Sequence, residues 1–152
     1  MSASQRSLWL IWAVFAGALA LELVIAGRLP ARAVPWHAAQ AAVAQFVLAL
    51  IALAIGVWTF ALRESLALRD LRAGRLLPHT EEGAARLRGM WLVLWGLTLV
   101  IGALGCVVAW GSGSTRAALP YVLGAAAVLA IHAPRAHYLG LFGTAQSSAS
   151  QP

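Results

Sequence analysis

Long apolar runs dominate this chain and decide what it can fold into. Residues 8–29, 39–62 and 90–110 each reach the roughly 17–25 residues with which a helix crosses the ~30 Å hydrocarbon core of a bilayer. The alternating pattern of a transmembrane barrel does not occur in these runs. Because hydrocarbon supplies no hydrogen bonds, each run must satisfy its own backbone, and the sequence predicts an all-α polytopic membrane protein.

A fourth apolar run, residues 119–133, is shorter than the other three. Its length of about 15 residues gives roughly 22 Å of helix, less than the hydrocarbon thickness. Two outcomes stay open: the helix continues past a kink at Pro134, or the polar residues after Pro134 lie at a thinned interface.

We expect four transmembrane helices, arranged as two tandem hairpins, in one domain of residues 1–142. Residues 143–152 are small and polar, and a disordered tail is expected there.

Composition agrees with a membrane protein and argues against nucleic-acid binding. The chain is 61% hydrophobic and 11% charged, against roughly 45–50% and 25% in ordinary soluble domains. Its net charge of +6 comes from arginine alone. These arginines flank the apolar runs and are not interleaved with aromatic residues, so we expect a bilayer as the surroundings and no nucleic-acid partner.

The arginines also predict an orientation. With four spans, the N-terminus, the central polar segment (residues 63–88) and the C-terminus share one side of the membrane. That side holds eight arginines: Arg6, Arg63, Arg69, Arg72, Arg75, Arg86, Arg88 and Arg135. The other side holds three: Arg28, Arg32 and Arg116. By the positive-inside rule both termini are cytoplasmic.

The first apolar run continues past the small residues that end at Ala20, so we expect a retained span and not a cleaved signal peptide.

The central polar segment is expected to extend the second helix to near Gly74 and then to turn. Thr80 is placed to cap the next helix, whose first turn holds Glu81 and Glu82 at the positive end of the helix dipole. The segment is interpreted as a solvated extension that fixes the topology. A docking surface for a partner or for anionic lipid is the alternative.

Glu22 is an acidic residue inside the first apolar run. A charged carboxylate near mid-membrane costs at least about 2.5–3.5 kcal/mol, so Glu22 is expected to be protonated or directed into the bundle. Its neighbours one turn away on the same helix are apolar, and partners must come from other helices. Matching depth selects Gln45, Cys106 and Tyr121, while Arg28 lies about one and a half turns outward. The candidate intramembrane polar site is Glu22, Gln45, Tyr121 and Arg28.

The remaining reactive residue types predict no cofactor, metal or catalytic site. His37 belongs to the outer side, whereas His79, His132 and His137 belong to the cytoplasmic side and are expected to supply interfacial polarity. A metal site among those three is the weaker alternative. Cys106 has no partner cysteine and is expected to pack as a small apolar residue. The sequence shows no nucleophile with an adjacent base, no phosphate loop and no paired carboxylates.

Small residues at short helical spacing predict close contact between helices. Gly102 and Gly105 in the third run are one such pair, and Ala52 and Gly56 in the second run are another. Small side chains let two backbones approach each other within a membrane. We interpret these pairs as packing positions of the bundle.

Three stretches carry a family resemblance: LWLIWAVFAGALALELVI at residues 8–25, MWLVLWGLTLVIGALGCVVAW at 90–110 and ALPYVLGAAAVLAIHAPR at 118–135. They resemble a group of small bacterial four-helix inner-membrane proteins, which are distantly similar to tandem hairpins of the rotary ATP synthase c subunit. The resemblance implies an inner-membrane location. The third helix of that group often carries an acid at the position of Leu99, so the resemblance does not imply proton carriage at this position.

For function, the sequence favours a non-catalytic inner-membrane protein that is an accessory or assembly subunit of a larger membrane complex. The chain is small, its external loops are short and close-packing residues are abundant. The alternative is a homo-oligomer that translocates protons or ions by means of Glu22. A membrane enzyme that uses the cytoplasmic His and Arg residues is a third interpretation, for which the sequence supplies no reaction.

Overall fold

The structure, a computed structural model, describes residues 3–28, 36–77 and 80–134. Within these ranges the chain is helical and contains no β-strand, so the all-α prediction is confirmed for the described residues. The helices, in chain order, are α1 Ala3–Arg28, α2 Ala38–Arg63, a π-helical segment Glu64–Leu68, α3 Arg69–Arg72, α4 Glu81–Ser112, a 3₁₀ turn Thr115–Ala118 and α5 Leu119–Ile131.

Three helical stretches are long and apolar enough to cross a membrane. They are Arg6–Arg28, Ala38–Arg72 and Glu81–Ser112. The stretch Thr115–Ile131 is apolar but shorter. Helix α5 ends at Ile131, ahead of Pro134, and does not run unbroken through it. The predicted tail at 143–152 lies outside the described residues.

Helix α4 is the centre of the described bundle. Helices α1, α2 and α5 all pack along it, and its side chains Leu94, Trp95 and Thr98 are completely shielded. Although α1 and α2 follow each other in sequence, both make their main helix contacts with α4. The described bundle is therefore organised around α4 and not around two self-contained hairpins.

Helices α1, α2, α4 and α5 alternate in direction along the bundle. Helix α1 runs parallel to α4, whereas α2 and α5 run antiparallel to α4. The start of α1, the central polar segment and the end of α5 consequently share one end of the bundle. For α1 and α4, the neighbouring pairs are Leu19 with Gly102 and Ala26 with Ala109. For α2 and α4, they are Trp36 with Gly111 and Gly56 with Ile101. For α5 and α4, they are Tyr121 with Gly105 and His132 with Trp95.

The central polar segment extends α2 and then turns, as predicted. The π-helical segment and α3 continue α2 to Arg72, and Gly74, with a φ of 68°, ends the extension. A left-handed φ is typical of the residue that follows a helix, and glycine adopts it without steric cost. Thr80 Oγ1 accepts a hydrogen bond from the Gly83 backbone N–H at 3.1 Å. The predicted N-cap of α4 is therefore confirmed.

Asp70 ties the turn to the first part of α4. Its carboxylate accepts a hydrogen bond from Arg75 at 2.9 Å and another from Arg86 at 2.8 Å. Arg86 also donates to the main-chain carbonyl of Leu66 at 2.8 Å. The hydrogen bond from Arg75 and the charges of both arginines lower the pKa of Asp70 below its usual value. The central polar segment is thus a folded unit that is held by charged hydrogen bonds.

Candidate intramembrane polar site

Glu22 lies on the face of α1 that packs against α4. Its Oε2 atom is buried and has no hydrogen-bond partner among the described residues. Gly102 of α4 is directly opposite, and a β-carbon at position 102 would collide with Glu22 Oε2 and lie 2.7 Å from Cδ1 of Leu19. The carboxyl group therefore fills space that a glycine leaves open. Glu22 is directed into the bundle, one of the two outcomes expected from the sequence.

Cys106 meets the backbone of Glu22 and not its carboxyl group. The Cys106 Sγ donates a hydrogen bond to the main-chain carbonyl of Glu22 at 3.3 Å. Cys106 lies one helical turn beyond Gly102 on α4, so the thiol and the glycine face the same stretch of α1. The depth match between Glu22 and Cys106 is confirmed, and the cysteine is a partly buried free thiol.

Gln45 and Tyr121 meet where α2 approaches α5. The Tyr121 hydroxyl donates a hydrogen bond to the main-chain carbonyl of Gln45 at 2.9 Å. Gly105 of α4 leaves room for the tyrosine, since a β-carbon at position 105 would lie 2.9 Å from Tyr121 Cβ and 3.1 Å from the carbonyl oxygen of Ala118. The contact uses the backbone of Gln45, so it does not depend on the amide side chain.

The structure divides the predicted site into separate parts. The carboxyl group of Glu22 is directed to α4, whereas the hydroxyl of Tyr121 is directed to α2. Arg28 is exposed at the end of α1, and within the described part of the chain it forms no ion pair with Glu22. Among the described residues, Gln45 and Tyr121, which were matched to Glu22 by depth, and Arg28, which was placed further outward, do not form one hydrogen-bonded cluster with Glu22.

Two tryptophan side chains hold the end of α5, a role that the sequence analysis did not predict. Trp95 Nε1 donates to the main-chain carbonyl of His132 at 3.1 Å, and Trp12 Nε1 donates to that of Leu129 at 3.2 Å. The last carbonyl groups of a helix have no partner within the helix, and a buried one needs a donor from elsewhere. The indoles supply these donors inside the bundle.

His132 is completely buried, which corrects the expectation that it supplies interfacial polarity. Its Nδ1 forms a hydrogen bond with the carbonyl of Val128 at 2.8 Å, and its ring centroid lies 5.0 Å from that of Phe60 on α2. The Nε2 atom is buried and has no hydrogen-bond partner among the described residues. His132 is buried because α5 ends in a turn that folds the ring back between helices. His79 and His137 lie outside the described residues.

An open groove of about 750 Å³ separates α2 from α5. We call it the α2–α5 groove. Its α2 wall contains Ala42, Ala49 and Gly56, which are spaced by seven residues and so lie on one face, and Gly124 is part of its α5 wall. Phe60 lines the groove near the C-terminal end of α2. The lining is mostly apolar, as expected of a surface that faces the interior of a bilayer.

Among residues 3–28, 36–77 and 80–134, no group of three His, Cys, Asp or Glu residues is placed to hold a metal ion.

Comparison of the chain with protein-family models, with curated proteins and with solved structures gives no match. Over the described residues, the fold and the site define a class: a helical membrane protein that buries one oxygen of a carboxyl group between two helices.

Proposed function

We propose that this chain is a non-catalytic integral protein of the bacterial inner membrane, an accessory or assembly subunit of a larger membrane complex. In this proposal the chain forms four spans with both termini in the cytoplasm, and α5 makes the fourth span where the bilayer is locally thin. The alternating helix directions and the arginine-rich central polar segment support that topology. The resemblance to small four-helix inner-membrane proteins supports the location.

The observation that carries this proposal is the exposed outer face of α2. Thr59 is the one residue of α2, Ala38–Arg63, that is buried. Leu50 and Ile51, which lie outside the α2–α5 groove, are 50% and 42% exposed. Lipid tails are as apolar as these side chains, so helices associate in a membrane through close packing of complementary surfaces. A long helix that contacts its own bundle on one side leaves such a surface for a helix of another subunit.

The test is the composition of the complex that mild detergent extracts with a tagged copy expressed at native level. We expect a stoichiometric set of foreign subunits. A double change on the outer face, Leu50→Ala with Ile51→Ala, should reduce their recovery. The matched control is Leu21→Ala with Ile25→Ala on α1, because those residues have similar exposure, 56% and 44%. A monomer or a pure homo-oligomer from the wild-type chain would contradict the accessory role.

The second candidate is a homo-oligomer that translocates protons or ions by means of Glu22. The observation that favours it is the buried Oε2 atom, which has no hydrogen-bond partner in the described part of the structure and rests against Gly102. A carboxyl group in such a place is far more stable when it is neutral, so it can take up a proton. The other four acidic residues, Glu64, Asp70, Glu81 and Glu82, all belong to the central polar segment. No second carboxylate therefore accompanies Glu22 in the apolar runs, which makes this candidate the less supported one.

Proteoliposomes distinguish the two candidates. If Glu22 carries protons, Glu22→Gln should abolish proton flux driven by a membrane potential while the helical content and the oligomer mass stay those of the wild type. Cys106→Ala is the matched control, since it lies at the same level and removes no carboxyl group. Equal flux in the wild type and in Glu22→Gln would remove the transport function.

A further inference from the structure

We propose that three arginines, Arg6, Arg69 and Arg88, form a layer on the bundle that binds the phosphate groups of anionic phospholipids. We call them the arginine layer. They belong to three different helices, α1, α3 and α4, and only the folded bundle brings them to one level. The inference goes beyond the proposed function, because it requires a bilayer around the chain and is compatible with an accessory subunit and with a transporter alike.

The packing of α1 against α4 places Arg6 at the level of Arg88. The two helices run parallel, and two pairs of neighbours fix their register: Leu19 with Gly102, and Phe15 with Trp95. The residue numbers within these pairs differ by 83 and by 80, so Arg6 corresponds to a position between 86 and 89 on α4. Arg88 lies within that range.

The end of the extension of α2, residues 64–72, reaches the same level. Arg86 of α4 donates hydrogen bonds to the main-chain carbonyl of Leu66 and to the carboxylate of Asp70, each at 2.8 Å. Arg69 lies between these two acceptors in sequence, so its turn of helix is next to Arg86. Arg88 is two residues from Arg86, or about 3 Å along α4. The three arginines of the layer therefore lie close to one level of the bundle.

This level is just outside the apolar part of the bundle. The apolar runs of α1 and α4 begin at Leu8 and Met90, each two residues after an arginine of the layer, which corresponds to about 3 Å of helix. The headgroup region extends roughly 5–7 Å beyond the hydrocarbon core on each side. Trp9 is 37% exposed one turn after Arg6, and tryptophan is enriched at the membrane interface. The arginine layer is thus at the depth of the lipid phosphates.

The charges of the arginine layer are not balanced by acidic side chains in the described part of the chain. All three side chains are exposed, and the ion pairs of the described residues do not include them. Arg88 donates from Nε to the main-chain carbonyl of Ala84 at 3.3 Å, and a carbonyl group does not neutralise the guanidinium.

The two carboxylates of the α2 extension are already bound to other arginines. Glu64 accepts two hydrogen bonds from Arg72, at 2.9 and 3.0 Å. Asp70 accepts hydrogen bonds from Arg75 and Arg86. Because these acids are engaged, the charge that remains at the level of the arginine layer is positive and favours an anion from outside the chain.

The depth of the layer favours a phospholipid over an acidic protein as the source of that anion. A guanidinium presents paired N–H groups that match the oxygens of a phosphate, and clusters of arginine next to a transmembrane helix attract anionic lipids. Lipid phosphates surround the whole bundle at this depth, so arginines on separate helices can each contact one. An acidic protein would have to enter the headgroup region to reach all three.

The experiment measures lipid retention by the full chain, purified in mild detergent and examined by native mass spectrometry. The probes are palmitoyl-oleoyl phosphatidylglycerol and palmitoyl-oleoyl phosphatidylcholine, added in equal amounts. We expect the wild type to retain phosphatidylglycerol in preference to phosphatidylcholine. The triple change of Arg6, Arg69 and Arg88 to glutamine should reduce that preference at least about fivefold, the effect of a single arginine at an anionic membrane surface.

Two further sets of variants accompany the triple glutamine variant. The triple change to lysine keeps the charges and should keep most of the preference. Each single change to glutamine should lower the preference in the same direction as the triple change. The single variants maintain the test if the triple variant loses helical content.

The matched control changes charges on α4 outside the arginine layer. Glu81 and Glu82 lie seven and six residues from Arg88, or about 9–10 Å along the helix. This distance exceeds the Debye length of about 8 Å at roughly 0.15 M ionic strength. Glu81→Gln with Glu82→Gln should therefore leave the lipid preference unchanged. A rise in the preference would mean that net charge, and not the arginine layer, selects the lipid.

Three other results would overturn the proposal. Equal retention of the two lipids by the wild type would leave the arginines to an acidic protein partner. An unchanged preference in the triple glutamine variant, at the helical content of the wild type, would exclude the arginine layer as the site. Displacement of phosphatidylglycerol by inorganic phosphate in excess would reduce the layer to a contact for free anions.

Discussion

The carboxyl group of Glu22 on α1 packs against Gly102 on α4. It occupies the volume that a side chain at position 102 would need. The main-chain carbonyl of Glu22 accepts a hydrogen bond from Cys106, one turn further along α4. Helices α1 and α4 therefore approach each other closely at this level, and the approach depends on the absence of a side chain at one position.

Gly102→Ala should separate the two helices. The added methyl group must displace the carboxyl group of Glu22 and the Cδ1 atom of Leu19, and overpacking of this kind costs roughly 1–3 kcal/mol. We expect the free energy of unfolding in detergent, measured by circular dichroism, to fall by that amount. Gly96→Ala is the control on the same helix, because its β-carbon meets no atom within 4 Å. Equal stability of the two variants would mean that the close approach does not exist.

A double variant isolates the contact between the two residues. Glu22→Ala removes the group that collides with a methyl at position 102, so it should make Gly102→Ala less costly than in the wild-type background. Residues in direct contact show coupling free energies of about 0.5–3 kcal/mol. We expect a coupling in that range for Glu22 and Gly102, and none within error for Glu22 and Gly96.

Trp95→Phe should loosen the end of α5. The change keeps an aromatic ring in the core and removes the indole N–H that is donated to the His132 carbonyl. A net loss of about 0.5–1.5 kcal/mol is typical for one hydrogen bond, and more when a buried acceptor stays unsatisfied. Hydrogen exchange of the amides of residues 129–133 should accelerate. Trp58→Phe is the control, because Trp58 is 59% exposed on α2 and should leave the exchange of these amides unchanged.

Thr80→Ala should weaken the start of α4. The Thr80 hydroxyl accepts a hydrogen bond from the Gly83 N–H, and loss of an N-cap side chain costs about 1 kcal/mol, within a range of 0.5–2. The effect should appear as faster hydrogen exchange in the first turn of α4, where Glu81 and Glu82 lie. Thr80→Ser keeps the hydroxyl and should behave like the wild type. Slow exchange in Thr80→Ala would assign the stability of this turn to tertiary contacts instead.

The sequence predicted those features that are local along the chain. The apolar runs predicted the long helices, and a threonine followed by two glutamates predicted the cap at Thr80, since both depend on residues within a few turns. Depth could also be predicted, because each residue advances a helix by about 1.5 Å. Counting along the helices placed Cys106 at the level of Glu22, and the structure joins these two residues.

The sequence did not predict which face of each helix is directed to which neighbouring helix. Tyr121 was assigned to Glu22 by depth, yet its hydroxyl is directed to the Gln45 carbonyl. In an apolar bundle the two faces of a helix differ little in hydrophobicity. The sequence of α5 therefore does not indicate which of its faces packs against α1 and which against α2. The burial of His132 depends on the point where α5 ends, and that end is held by Trp12 and Trp95 from distant parts of the chain.

The ion pairs of Asp70 predict a pH-dependent unfolding of the turn between α3 and α4. Since Arg75 and Arg86 lower the pKa of Asp70 in the folded protein, the unfolded segment binds its proton at a higher pH than the folded one does. The stabilising effect is therefore complete above the unfolded pKa of about 4, and it is lost as the pH falls through the lower folded value. Hydrogen exchange of residues 69–77, corrected for its intrinsic pH dependence, should accelerate below about pH 4.

Asp70→Asn distinguishes this carboxylate from the other acidic groups nearby. The variant should show fast exchange of residues 69–77 already at neutral pH and little further acceleration as the pH falls, because it lacks the group that accepts hydrogen bonds from Arg75 and Arg86. Glu64→Gln is the matched control: it removes the ion pair with Arg72 and leaves Asp70 in place. It should retain the acceleration below about pH 4. If Glu64→Gln abolishes the acceleration and Asp70→Asn does not, the pH dependence arises from the Glu64–Arg72 pair, and the turn is held together without Asp70.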